Sequence, residues 1–283
     1  MSSDWEWPAV RKIKPSFIKR PCVEMGVQLI DIHPLSSLSV RRIRLSQPSN
    51  IWLDKIPNDS EAIIHILSGS LSGVIQGNWG KRTLINLGGR SNIFKELSHT
   101  IVLRPGSTFE ISPTSRYLDL LEVLSNQVRI GPDLPTVLHP CDWQVHQIGD
   151  GHLYRQVREI IGGHGITERL RFGETINETG GTSSFPHHEF ASDPERAPHF
   201  EEIFLFFANP KLGWGVCRRK GLFCDNTPID DVQLVRSGDY AVMPLGEHPI
   251  ISGPESQLAY VWCYVSDVPK RYAKWAEDLG QYA

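Results

Sequence analysis

No run of about 18 consecutive apolar residues occurs in this 283-residue chain, so no transmembrane helix is expected. Basic charge is not in excess either. Lys and Arg number 29 against 32 Asp and Glu, a net charge of −3, which leaves no electrostatic footing for a nucleic-acid backbone. The opening Met1 to Lys14 mixes Trp, Glu, Arg and Lys without an apolar core, unlike a secretory signal. Cysteines are few and unpaired in pattern. Cys22, Cys141, Cys217, Cys224 and Cys263 make an odd set with no CxxC spacing, which argues against a zinc knuckle and for free thiols in a reducing cytosol. A cytoplasmic location and a small-molecule substrate are therefore expected, with neither nucleic acid nor membrane as partner.

Long amphipathic helical patterns are also scarce. One stretch qualifies, Pro269 to Tyr282, where Tyr272, Trp275, Ala276 and Leu279 recur at helical spacing. Elsewhere 24 Gly and 20 Pro punctuate short apolar segments, the rhythm of an all-β sandwich or barrel. In a first block, strands are expected at Val27 to Ile32, Leu38 to Leu45, Thr83 to Leu87, Thr100 to Leu103, Thr108 to Ile111 and Tyr117 to Val123. Glu61 to Leu67 is expected to turn tightly at Ser68-Gly69-Ser70 and return as Leu71 to Gln76, with a second hairpin at Asn78-Trp79-Gly80. A second block begins near Gly151, with strands at Leu170 to Ile176, Glu202 to Phe207, Gly213 to Arg218, Val232 to Leu234, Tyr240 to Met243 and Gln257 to Val265. Leu103-Arg104-Pro105-Gly106 and Met243-Pro244-Leu245-Gly246 occupy like places in the two blocks, which suggests a duplicated barrel. The organisation predicted is an N-terminal arm (1–24), a first β domain (25–124), a connecting segment (125–150), a second β domain (151–268) and a closing helix (269–283).

The second block gathers the residues that carry chemistry. Ser183-Ser184-Phe185-Pro186-His187-His188-Glu189-Phe190 sets two histidines beside a carboxylate. Phe200-Glu201-Glu202-Ile203-Phe204 places two carboxylates ahead of an apolar strand, and Gly238 to Pro249 ends with His248. Imidazole nitrogens and a carboxylate from several strands are what a divalent transition metal takes, with open positions left for substrate. Taken singly, each segment is ordinary: polar surface, a solvated strand end, a strand and turn with one histidine. Their order in one domain is the signal.

That order resembles a cupin, and more narrowly the KduI/IolB family of sugar-acid isomerases. The family's second domain has a Ser-Ser-Tyr-Pro-Pro-His-x-His stretch, a Glu-Glu-Ile-Tyr stretch and a Gly-Asp-x4-Pro-x-Gly-x-His-Pro stretch. Ser183 to His188, Glu201 to Phe204 and Gly238 to Pro249 match them. Tyr154-Arg155-Gln156-Val157, Leu67-Ser68-Gly69 and Leu87-Gly88-Gly89-Arg90-Ser91-Asn92-Ile93-Phe94 match further motifs, so the likeness runs from about residue 25 to residue 267. It implies two tandem cupin (jelly-roll) domains, the first without a metal set, since its His65 and His99 stand isolated. It also implies a homo-oligomer and a divalent ion (zinc, manganese or iron) held by His188, Glu202 and His248, with His187 or Glu189 as a fourth ligand. The chain departs from the family at one point. Aligned without a gap, the family's two histidines fall on His188 and Phe190; with one residue deleted they fall on His187 and Glu189. Both alignments stand open on the sequence.

The implied reaction is an aldose–ketose isomerisation of 5-deoxy-glucuronate or a related uronate through an enediolate. Glu201 and Glu189 are the candidate bases, with His199 a lesser metal candidate. Arg155, Arg171, Arg218 and Arg219 are the candidate cations for the substrate carboxylate. Two other readings fit the same residues. Loss of one histidine leaves a two-His, one-carboxylate set suited to an iron oxygenase with a less polar substrate. A degenerate cupin would bind a small molecule without turnover.

Overall fold

The structure is a computed structural model, and it describes residues 17–22, 24–33, 35–47, 50–126, 128, 135–162, 166–184, 201–222, 228–243 and 248–265. The expected closing helix at 269–283 lies outside them. Among the described residues the chain is built of strands, with two short 3-10 turns at Pro140–Asp142 and Gly151–Leu153. The all-β expectation holds.

The first ten strands are β1 (Ile18–Lys19), β2 (Gly26–Ile30), β3 (Leu38–Ser46), β4 (Trp52–Lys55), β5 (Glu61–Gly77), β6 (Gly80–Arg90), β7 (Thr100–Leu103), β8 (Thr108–Pro113), β9 (Tyr117–Ser125) and β10 (Thr136–Leu138). All but β1 form one nine-stranded sheet in the order β10-β7-β5-β9-β3-β2, which continues through the far half of β5 into β6, β8 and β4. The tight turn expected at Ser68-Gly69-Ser70 is not there. Glu61 to Gly77 is one long strand, whose first half pairs with β7 and β9 and whose second half pairs with β6 and β8. The ladder shifts register at Gly69, with φ +83°, where an added Cβ would sit 2.2 Å from the Tyr117 carbonyl oxygen. A glycine bulge therefore bends the strand from one side of the barrel to the other instead of reversing it. The Asn78-Trp79-Gly80 hairpin does form, joining β5 to β6 with Gly77 opposite Gly80.

The second ten strands are β11 (Gln144–Ile148), β12 (Arg155–Ile161), β13 (Leu170–Asn177), β14 (Thr182–Ser183), β15 (Glu201–Asn209), β16 (Trp214–Leu222), β17 (Pro228–Arg236), β18 (Tyr240–Met243), β19 (Ile250–Ser252) and β20 (Gln257–Val265). A seven-stranded sheet runs β1-β18-β15-β20-β13-β12-β11 and a four-stranded one β14-β19-β16-β17. The N-terminal arm thus enters the second unit. Ile18 pairs with Ala241 and Phe17 is buried beneath it. The segment between the units is also shared, with β10 joining the first sheet and β11 the second.

Strand alternation sorts the apolar residues into three cores. Ile64, Leu71, Phe109 and Leu120 fill the first barrel, and Phe204, Phe206, Tyr260 and Trp262 fill the second. The third core lies between the units. There Val40, Ile63 and Val123 of the first pack against Phe172, Ile203, Leu205 and Val261 of the second, sheet on sheet.

Two glutamates clasp this interface from opposite sides. Glu61, at the start of β5, accepts backbone N–H bonds from Glu168 (2.8 Å), Arg169 (2.8 Å) and Leu170 (3.0 Å) of the second unit. Glu201, at the start of β15, accepts bonds from Ser36 N (2.9 Å), Ser36 Oγ (3.1 Å) and Ser37 N (2.8 Å) of the first. The reciprocity fits a duplicated barrel in which β5 and β15 are counterparts.

At the centre of the interface sits a fully buried ionic cluster. The Glu174 carboxylate meets Arg90, Arg158 (3.0 Å) and His65 Nε2 (3.0 Å), and His65 Nδ1 lies 2.8 Å from Thr100 Oγ1. His65, isolated in the sequence, is thus joined to the second unit. Burial acts to raise the Glu174 pKa, but the Arg90 charge, the His65 hydrogen bond and Arg158 outweigh it and hold the group at about 2. Burial pushes His65 down to about 4, with the Arg90 charge in the same direction and Glu174 opposing. A histidine kept neutral by folding binds its proton more readily in the unfolded chain. Stability is therefore expected in full above the ordinary imidazole value of 6.5 and to decline as pH falls toward about 4. Urea unfolding across that window should show the decline, and His65→Gln should flatten it. Equal slopes in the two proteins would contradict the assignment.

Candidate active site

Cross-strand register lays out the interior wall of the second barrel row by row. Directly opposed residues of an antiparallel pair share a face, so Arg171, Tyr264, Glu202 and Met243 form one row across β13, β20, β15 and β18. The next row is Gly173, Trp262, Phe204 and Ala241, and the one below it Thr175, Tyr260 and Phe206. Glu201 falls on the opposite face, which explains its place in the interface clasp. Two adjacent glutamates are thus separated by the strand's alternation.

His248 follows β18 and turns inward, its ring 5.2 Å from that of Phe204. Its Nε2 lies 3.1 Å from Glu202 Oε2, and both side chains are buried, at 1% and 3% exposure. Glu202 Oε2 has no hydrogen-bond partner among the described residues. Two donors on one ion, each at about 2.0–2.2 Å, stand roughly 3.0–3.4 Å apart. The spacing, the mixed nitrogen and oxygen donors and the unbonded carboxylate oxygen all fit a divalent cation. Among the described residues no third His, Cys, Asp or Glu completes a metal set. His187, His188, Glu189, Phe190 and His199 lie outside the described residues.

The four candidate arginines separate. Arg171 shares the row of Glu202, and it donates to the Leu170 carbonyl (2.6 Å) and Thr167 Oγ1 (3.2 Å). Arg218 N–H donates to the Pro249 carbonyl (3.0 Å), which sets the neighbouring Arg219 beside the His248 segment. Arg219 is buried, with its guanidinium 4.5 Å from the Phe17 ring. The Arg218 side chain faces outward and is held in two places by Asp230, at 2.7 Å each. Arg155 points inward but opposes Asn177, six residues along β13 from Arg171, or about 20 Å. The structure brings Arg171 and Arg219 to the Glu202 end, and Arg155 and Arg218 elsewhere.

Three neighbours of the pair were not foreseen in the sequence. Cys217 lies inside the barrel; burial, reinforced by the Glu202 charge, pushes its thiol pKa up, with Arg219 opposing. Trp262 Nε1 is a buried donor without a hydrogen-bond partner among the described residues, one row below Glu202. Tyr260 donates to Ser183 Oγ (2.9 Å), which also accepts from Asn177 Nδ2 (2.7 Å). Only the alternation of β20 could have announced the two aromatic residues. Gly173 lets the Trp262 ring lie flat on the wall, since an added Cβ would be 2.2 Å from its Cζ2 and 2.5 Å from the Arg158 carbonyl oxygen. Gly173→Ala is expected to cost about 1–3 kcal/mol by overpacking, read as a lower urea midpoint. An unchanged midpoint would mean the wall can yield.

The KduI/IolB family model matches residues 28–281. The chain is 29% identical over 195 residues to the 5-deoxy-glucuronate isomerase of Geobacillus thermodenitrificans, covering 63% of this chain and 69% of that one. It is 26% identical over 254 residues to the 5-deoxy-glucuronate isomerase of Shouchella clausii, covering 86% and 88%. In fold it is similar to the crystal structure of an IolB-like protein from Salmonella typhimurium, with TM-score 0.78 at 18% identity and coverage of 93% and 97%. The two-barrel cupin architecture, a family match over most of the length and relatives that are isomerases together place the chain: it belongs to the KduI/IolB family, and it is an isomerase.

Proposed function

We propose that the chain is a metal-dependent isomerase of a sugar acid, 5-deoxy-glucuronate or a related uronate, working at the inner end of the second barrel. The observation that carries this reading is the Glu202–His248 pair, two buried donors 3.1 Å apart with an unbonded carboxylate oxygen. Glu202 and His248 would hold the ion, with His187 or His188 as a further ligand and Glu189 as an alternative. A bound divalent ion supplies Lewis acidity to a carbonyl and its neighbouring hydroxyl.

The chain's own groups supply the rest. Arg171 and Arg219, on the Glu202 side of the barrel, bind the substrate carboxylate, for which a guanidinium fork is well shaped. The Trp262 N–H orients a substrate oxygen. Phe204, Trp262 and Tyr260 exclude water below the pair. Glu201 is assigned to holding the two units together, because its oxygens already accept three bonds. Where a histidine is the further ligand, Glu189 is left as the group that moves the proton between neighbouring carbons.

The test is turnover. Purified protein supplied with manganese, zinc or iron should convert 5-deoxy-glucuronate to its keto isomer, followed by proton NMR. No conversion across a panel of uronates with any of the three ions would contradict the proposal.

A further inference from the structure

Glu202 and His248 stand on different sheets. Glu202 belongs to β15 in the seven-stranded sheet, and His248 leads into β19 in the four-stranded one. Their 3.1 Å spacing therefore depends on how the two sheets are joined nearby. Side-chain hydrogen bonds contribute to that join. Asn177 Nδ2, at the end of β13, donates to Ser183 Oγ on β14 (2.7 Å) and to the Ile250 carbonyl on β19 (3.3 Å). The Tyr260 hydroxyl, on β20, donates to the same Ser183 Oγ (2.9 Å) and lies 3.5 Å from Ser184 Oγ. Ser183 and Ile250 are themselves opposed in the β14–β19 ladder. One wall, β13 and β20, thus grips two strands of the other at a single rung. Asn177, Ser183 and Tyr260 are all buried.

That rung lies close to the metal pair along the chain. Ile250 follows His248 by two residues, roughly 7 Å of extended backbone. Ser184, beside the rung, has φ +52°, a conformation that favours glycine and that a serine keeps where its surroundings hold it. Apolar packing is non-directional, whereas hydrogen bonds fix orientation as well as distance. We propose that Asn177 and Tyr260 are positioning residues for the metal centre: through Ser183 and Ile250 they set where His248 stands against Glu202. The inference rests on the metal reading of that pair and extends it to residues two and three rows below Glu202 on the barrel wall. Outer partners that orient a metal ligand typically change metal affinity about 10- to 100-fold when removed.

The test is the zinc affinity of the whole metal-free protein, measured by competition with a chromogenic chelator. The zinc that counts is the zinc lost in His248→Ala. Tyr260→Phe and Asn177→Ala are each expected to weaken its binding about tenfold or more. Affinity is read on protein that circular dichroism shows to be folded, so a loss of global stability does not by itself move it. Tyr260→Phe removes a single oxygen atom, and it carries the test alone if Asn177→Ala does not fold. Wild-type binding that Tyr260→Phe retains to within about twofold would overturn this inference and leave the metal reading intact. A wild-type protein that binds no such zinc would overturn the metal reading, and this inference with it.

Discussion

Glu202→Gln is expected to lower kcat/KM by at least about 10²-fold, while Glu201→Gln keeps most of its activity. The two residues are neighbours on β15 with the same chemistry, so only their facing differs. Glu202 looks into the barrel at His248. Glu201 looks out, toward the backbone of residues 36 and 37. Its neutralisation weakens charge-assisted bonds across the interface and should appear as a loss of about 1–3 kcal/mol in unfolding free energy. Steady-state kinetics beside urea unfolding for both variants separates the roles. If Glu201→Gln abolished turnover at unchanged stability, the proton-moving role would return to it.

Glu174→Gln is expected to be the most damaging single change away from the active site, at about 3–5 kcal/mol. The carboxylate is fully buried and serves Arg90, Arg158 and His65 at once. A buried ion group with good geometry gains little over an apolar one, but removing the one carboxylate it has among the described residues leaves two guanidinium charges uncompensated in the interface core. The measurement is the unfolding free energy from urea titration at neutral pH. A loss below about 1 kcal/mol would mean water or another anion enters the cluster readily.

Much of the fold could be read in the sequence, because strand alternation and turn residues are local. The segments at Leu38 to Leu45, Leu170 to Ile176 and Gln257 to Val265 are strands in the structure. Where reading failed, the signal was ambiguous for a physical reason. Ser68-Gly69-Ser70 has the composition of a hairpin, but the same residues make a bulge when the partner strand changes along β5. The site was legible as a set of motifs and not as a geometry. Which of Glu201 and Glu202 faces inward depends on register with β18 and β20, which no short segment contains. The depth of Arg155 and the outward turn of Arg218 follow from pairing with Asn177 and Asp230. His65 found its partner 109 residues away, beyond any local pattern.

The central proposal is that Glu202 and His248 hold a divalent ion although one family histidine is replaced, by Phe190 or by Glu189 according to the alignment. It is tested most directly by the metal content of the purified protein, measured by mass spectrometry beside His248→Ala. About one manganese, zinc or iron per chain is expected, lost in the variant while it remains folded. A wild-type protein without metal, even after incubation with each ion in turn, would contradict it.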